Sequence, residues 1–307
     1  GRERKRLRPD DDAANFVYTG QENVPGGVIC VRIHPSIKVI RARAFFRQTR
    51  LMSVELHDGL EVIEEQAFQG CGSLQEMLFP PSVRAIKDFA FCWCSGLTAA
   101  IFNDGLEVIE TGAFYGCAFE RIDIPPSVKA IKCFAFRDCS GLTTAILNDG
   151  LEEIGDRAFG RCALVRINIP PSVRANKDHA FRNCSGLTTV ILNNGLEEIW
   201  RGAFGGCVFE SFVIPPSVRA IGNDAFEDCS NLTYVHFCDE IEEFVSGESM
   251  RHWWNHRVHE KCLSTYCFLA QFNIPERLGL VRATQWQDSI HGMLMRIPFI
   301  SKNGMDS

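Results

Sequence analysis

The sequence predicts an α/β solenoid: a right-handed coil of about nine turns of 22–23 residues with one parallel sheet and a helical cap at its C-terminal end. Three observations carry this. The dipeptide Ala-Phe returns nine times, with its Phe at Phe45, Phe68, Phe91, Phe114, Phe136, Phe159, Phe181, Phe204 and Phe226. Three residues after eight of these, a cysteine recurs at Cys71, Cys94, Cys117, Cys139, Cys162, Cys184, Cys207 and Cys229, while Gln48 takes that place in the first unit. Between them two kinds of corner alternate: Pro-Pro-Ser-Val at Pro80, Pro125, Pro170 and Pro215, and Asn-Asp-Gly-Leu or a variant at His57, Asn103, Asn148 and Asn193. The first kind recurs every 45 residues, so the duplicated unit is a pair of turns.

Composition sets the outer bounds. The chain is 46% apolar and 23% charged, as in ordinary folded proteins, and its net charge of -6 argues against a general electrostatic grip on nucleic acid. No run of about 18 apolar residues predicts a membrane span, and the first residues lack the apolar core of a signal peptide. The fourteen cysteines lie mostly at one phase of the repeat, which fits a buried ladder of small apolar thiols. Neighbouring rungs lie close enough that geometry alone does not exclude bridges. The reading favours reduced thiols and therefore a cytoplasmic protein, with a secreted or cell-surface one as the alternative.

In chain order, residues 1–15 read as a tail whose basic cluster, Arg2, Arg4, Lys5, Arg6 and Arg8, faces Asp10, Asp11 and Asp12. The solenoid is expected over 16–245. It opens on an N-terminal cap, in which Val28, Val31 and Ile33 have strand phase and Pro25-Gly26-Gly27 makes the bend. In each turn a short strand such as Leu142-Thr143-Thr144-Ala145-Ile146-Leu147 puts Leu142, Ala145 and Leu147 inward and Thr144 and Ile146 outward. The chain then passes a corner, where Asp-Gly dipeptides such as Asp104-Gly105 are expected to use their tolerance of positive φ and Pro-Pro forces an extended bend. It returns through segments such as Leu151 to Phe159, whose Ile154 and Phe159 point to the core. One strand per turn gives a single parallel sheet. Beyond the repeats, 246–307 reads as a helical cap, with helices over 249–269 and 283–297 covering the end of the coil. His252, His256 and His259 share one helix face near Cys262; a solvated polar face is the plain reading and a zinc site the sharper one.

The segments Phe119 to Cys139 and Phe209 to Cys229 keep the order of apolar residues, then Pro-x-Ser-Val, then Ile, Ala-Phe and Cys. This pattern, kept in phase over about residues 28–245, resembles the BspA-like subclass of leucine-rich repeats. The resemblance implies a leucine-rich-repeat coil and a non-enzymatic binding or surface-adhesion module, and it brings no catalytic residues.

Two further patterns stand out. One returning-side position reads Lys38, Glu61, Arg84, Glu107, Lys129, Glu152, Arg174, Glu197, Arg219 and Glu242, changing sign at every rung. At the spacing of adjacent strands each charge lies between opposite ones, which sets register more than stability. One unit breaks the rules: Asn176 stands where others have Ile86, Ile131 and Ile221, and His179 where others have Phe89 and Phe134. A tolerated defect and a local site both fit. The sequon at Asn231 aligns with Gly96, Gly141 and Gly186, so a left-handed backbone position is expected there rather than a glycan.

There is no Gly-rich phosphate loop, no Gly-x-Ser-x-Gly elbow and no paired zinc knuckle, and acidic residues copied once per turn are not a catalytic pair. The expectation is a protein-binding scaffold without enzymatic activity, cofactor or resident metal. Its candidate surface is the solvent side of the sheet. One column there carries Leu78, Ile101, Asp123, Ile146, Asn168, Ile191, Val213 and His236, and its neighbour Glu76, Arg121, Arg166 and Tyr234. The bland alternative is that β-branched residues suit strands; an extracellular adhesion or glycan-binding module is the rival function.

Overall fold

A computed structural model of the chain describes residues 15–21 and 23–232 and the backbone of 234–237. The basic tail, the C-terminal helices with His252, His256 and His259, and the far end of the charge ladder lie outside the described residues. Among the described residues the chain forms twenty short parallel strands and no helix, so the expected α/β coil is a β-solenoid there.

In place of the single sheet expected there are two walls, only one of them a continuous sheet. Returning segments build a continuous nine-stranded parallel sheet of two-residue strands, from Val39–Ile40 through Glu153–Ile154 to Ala220–Ile221. The second residue of each is buried, so Ile40, Ile63, Ile86, Ile109, Ile131, Ile154, Ile199 and Ile221 stack as an internal column with Asn176 among them. The opposite wall carries longer strands, from Asn15–Tyr18 to Tyr234–Phe237, and is interrupted. Its ladder stops between Ala99–Ile101 and Arg121–Asp123 and between Thr189–Leu192 and Ser211–Ile214, and only Thr144↔Arg166 pairs between Thr144–Ile146 and Arg166–Ile169. All three junctions are the 22-residue steps, where the link from Cys to strand is one residue shorter. A third break, between Ser53–Glu55 and Glu76–Leu78, falls at a 23-residue step.

Between the walls runs a spine of phenylalanines. From Phe45 to Phe226 each repeat ring stacks on the next, with centroids 4.8–5.9 Å apart and planes within 2–11° of parallel. Tyr18 closes the N-terminal end on Phe45 at 5.1 Å. Each buried ring contributes roughly 1.5–3 kcal/mol of transfer free energy. The cysteine ladder has a stated role: all eight thiols donate to the carbonyl of the repeat Phe one turn back, as in Cys71 Sγ to Phe45 O at 3.1 Å and Cys229 Sγ to Phe204 O at 3.2 Å. Burial pushes the thiols of Cys139, Cys184 and Cys229 up to about 12, so they stay protonated as donors.

Why no helix forms at the Ala-Phe corner is visible in the backbone. The residues two before and two after each repeat Phe have positive φ: Arg43 and Arg47 around Phe45, Phe89 and Trp93 around Phe91, Asp224 and Asp228 around Phe226. Two left-handed residues per corner break any helical run. The same geometry turns their N–H groups along the coil axis, where they meet carbonyls of the next turn, as in Phe89 N to Thr111 O at 2.8 Å and Trp93 N to Tyr115 O at 2.7 Å. Strain at these residues is thus offset by bonds that only the stacked coil supplies.

The glycines expected to need positive φ do not have it. Gly59, Gly105, Gly150, Gly195, Gly96, Gly141 and Gly186 are absent from the left-handed region, and so is Asn231. Close approach explains them instead: a Cβ on Gly105 or Gly195 would overlap the carbonyl oxygen of Pro81 or Pro171 one turn back. The Asn opening these corners serves the same junction, since Asn148 Nδ2 donates to Pro125 O at 2.8 Å and Asn193 Nδ2 to Ile169 O at 2.7 Å.

The alternating charges also differ from expectation. Only Lys38 and Glu61 meet directly among the described residues, at 2.9 Å, and Lys38 holds the Glu61 carboxyl below its ordinary range, with Arg84 adding to the effect. Register is carried by the backbone beneath, through bonds such as Glu61 N to Lys38 O at 2.7 Å and Glu152 N to Lys129 O at 2.8 Å.

Candidate partner-binding surface

On the interrupted wall, parallel pairing sets predicted site residues beside one another in register. Leu78 faces Ile101 and Glu76 faces Ala99; Asp123 lies beside Ile146, and Asn168 beside Ile191. Arg121 pairs in register with Thr144, and Thr144 with Arg166. Strand alternation aims these side chains outward while Met77, Ile122, Ala145 and Ile167 fill the core. Leu78 is 62% exposed, Ile101 57%, Ile146 46% and Val213 48%, a set of apolar groups held at the surface. Ile191 is half-buried. Val213 is in register with His236 and Ser211 with Tyr234, but the side chains of Tyr234 and His236 lie outside the described residues.

Some of the polar groups on this face are paired and others are not. Arg121 Nε pairs with Asp123 Oδ1 at 3.0 Å, and Asn168 Oδ1 accepts from Asn193 Nδ2 at 2.9 Å. Arg166 is exposed and has no ion-pair partner among the described residues. A shallow depression bounded by Val17, Arg32, Glu55 and Leu78 opens on the same wall beside the break after Ser53–Glu55, and Arg32 Nε closes on Glu55 Oε2 across it at 2.7 Å.

A second surface feature went unpredicted. At the left-handed positions each side chain lies over the equivalent residue one turn on. Phe89 thus covers Gly112, Trp93 covers Gly116, His179 covers Gly202 and Asn183 covers Gly206; a Cβ on any of these glycines would strike the ring or amide above it. Trp93 is 52% exposed and meets Tyr115 edge-on at 5.0 Å. Tyr115 donates to Asp138 Oδ2 at 2.6 Å, and this bond holds its hydroxyl proton on, raising its pKa. The signal was in the sequence, as a bulky residue followed by Gly 23 residues later at the same repeat position.

The irregular unit is as the sequence marked it, without the partners a buried amide requires. Asn176 is fully buried and both its amide atoms lack a hydrogen bond. His179 stands 3.7 Å from Asp156, but burial first, then Arg157 and Arg182, hold its pKa below the ordinary histidine value. Among the described residues no cluster of His, Cys, Asp and Glu is placed to hold a metal ion, and no helix is long and apolar enough to cross a membrane.

Comparison with known proteins gives one family and a fold. Residues 28–125 and 107–233 match the BspA type leucine rich repeat region, in six copies. No curated protein matches. Among solved structures, the pneumococcal vaccine antigen PcpA is 19% identical over 76% of this chain and 74% of its own, with a TM-score of 0.52. A leucine-rich repeat protein from Eubacterium ventriosum is 20% identical over 68% and 60%, with a TM-score of 0.50. Another from Bacteroides ovatus is 21% identical over 71% and 74%, with a TM-score of 0.44. At such identities the likeness is one of fold.

Proposed function

The chain belongs to the BspA-type leucine-rich repeat family, and from that premise we propose that it is a non-enzymatic scaffold that binds a protein partner through the exposed face of its interrupted parallel sheet. One observation carries the reading: Leu78, Ile101, Ile146 and Val213 are each about half exposed or more on that single face, with the unpaired cation Arg166 among them. Monomers rarely leave apolar groups in such a row without use, and apolar groups beside Arg and Tyr are the makeup of binding hot spots. The returning side offers less, since its backbone groups bond continuously between turns and its apolar column is internal.

The test is recovery of partners from the native source by the full chain and by a double variant, Ile146→Glu with Arg166→Glu. Both sites point to solvent, so the variant keeps the wild-type melting temperature and loses the partner. Undiminished recovery by this variant, with loss on Arg84→Glu and Arg174→Glu, would put the site on the returning wall.

The resemblance that pointed to the family also implies adhesion, and an extracellular adhesion or glycan-binding module is the second reading. The cytoplasmic placement expected from the thiol ladder gains no support from family membership. Thiol titration of the protein taken from its native source separates the two: a fully reduced ladder belongs to a reducing compartment, and bridged thiols to secretion.

A further inference from the structure

We propose that Trp93, Tyr115 and Asp138 form a binding site for a neutral sugar ring on the Ala-Phe corner, away from the sheet face. The tryptophan is the starting point. At its repeat position other turns place Arg47, Asp138, Arg161, Asn183 or Asp228, all polar, or glycine; here an indole is 52% exposed. It is also fixed in place. Its six-membered ring fills the space above Gly116, where a Cβ would lie 2.5 Å from Trp93 Cε3, and its edge contact with Tyr115 at 71° sets its tilt. Its backbone is tied to the next turn through Trp93 N to Tyr115 O.

Beside this ring lies a polar edge. Tyr115 donates to Asp138 Oδ2 at 2.6 Å, Arg137 Nε stands 3.4 Å from the same carboxylate, and Arg161 Nη1 is 3.8 Å from its other oxygen. Two guanidiniums face the one Asp138 carboxylate, a local sum of +1 that disfavours a cation, while the carboxylate nearest the indole disfavours an anion. What it offers is acceptors and donors side by side, next to one apolar ring. A pyranose matches that: a flat C–H face for the indole and hydroxyls, each both donor and acceptor, for Asp138 and Arg161. A macromolecular interface fits less well, since stable ones bury on the order of 800 Å² per partner and the apolar area here is one indole.

The inference stands apart from the sheet-face reading and gives the second reading a definite location. Its test applies the full chain to an array of neutral oligosaccharides built from hexoses and N-acetylhexosamines, and measures retained glycans by titration calorimetry. The informative variant is Trp93→Asn, because Asn183 occupies the equivalent place over Gly206 and keeps the left-handed backbone. The expected result is binding by the wild type, at least tenfold weaker binding by Trp93→Asn at an unchanged melting temperature, and several-fold weaker binding by Asp138→Asn. Ile146→Glu with Arg166→Glu should bind glycan as the wild type does. The proposal is overturned if no neutral glycan binds, if Trp93→Asn binds equally well, if the sheet-face variant loses the glycan, or if Trp93→Asn abolishes capture of a protein while no glycan binds.

Discussion

Trp93 occupies the space that a side chain on Gly116 would need, 23 residues and one turn later. Gly116 has a φ of +69°, so a methyl group there meets both the indole above and an unfavourable backbone region. Gly116→Ala is expected to lower stability by roughly 1–2 kcal/mol, the cost of a side chain in the left-handed region, and to displace the Trp93 ring. Urea unfolding gives the first quantity and the quenching of Trp93 emission by iodide the second. An unchanged midpoint would mean that the corner relaxes freely and that the stacked turns do not hold it.

The phenylalanine spine makes a different demand. Phe159 is fully buried between Phe136 and Phe181, 5.4 Å from each. Phe159→Ala should cost about 3–5 kcal/mol, because flanking rings fixed by their own strands cannot collapse into the space. Amide exchange should accelerate first around residues 131–181 and last near both ends. A uniform rise would contradict a coil whose turns are stabilised by their nearest neighbours.

These two cases show what the sequence could and could not disclose. Phe159 was legible because a recurring apolar residue at fixed phase has one explanation, burial, and the outward aim of Ile146 and Thr144 followed from strand alternation alone. The second sheet was not, because two-residue strands such as Glu153–Ile154 are too short for any periodicity, and only stacking makes them strands. Left-handed positions were sought at Gly105 and Asn231, where local turn chemistry favours them. They occur instead at residues such as Phe89 and Trp93, where bonds to the next turn override local preference. The candidate sheet face was legible as two columns, but not the Arg121 to Asp123 pair, which depends on rotamers.

Asn176 is a native residue whose replacement should stabilise. It sits between Ile154 and Ile199 in the internal column, fully buried, with neither amide atom bonded. An unpaired buried polar group costs about 1–3 kcal/mol, and isoleucine fills the equivalent place in the other turns. Asn176→Ile should therefore raise stability by about that amount in chemical denaturation. A fall in stability would show that the amide has a partner in solution and that this turn is more than a tolerated irregularity.

The thiol ladder predicts how stability depends on alkaline pH. In the folded chain Cys139, Cys184 and Cys229 are pushed up to about 12 from an ordinary 9.0, chiefly by burial. Folding therefore favours the protonated thiol. Below about pH 9 both states are protonated and the contribution is fully present; above it the unfolded chain loses protons that the folded chain keeps. Stability should fall steadily as pH rises from about 9 toward 12, with the slope growing with the number of ladder thiols that unfolding releases. Replacing one rung with alanine, Cys184→Ala, should make this slope shallower by the share of one proton while costing the bond to Phe159 O. Denaturation midpoints between pH 8 and 11, taken under reducing conditions, provide the measurement. A slope that is the same in the variant would mean that Cys184 ionises as readily inside the coil as outside it, and that its thiol is not the protonated donor to the Phe159 carbonyl.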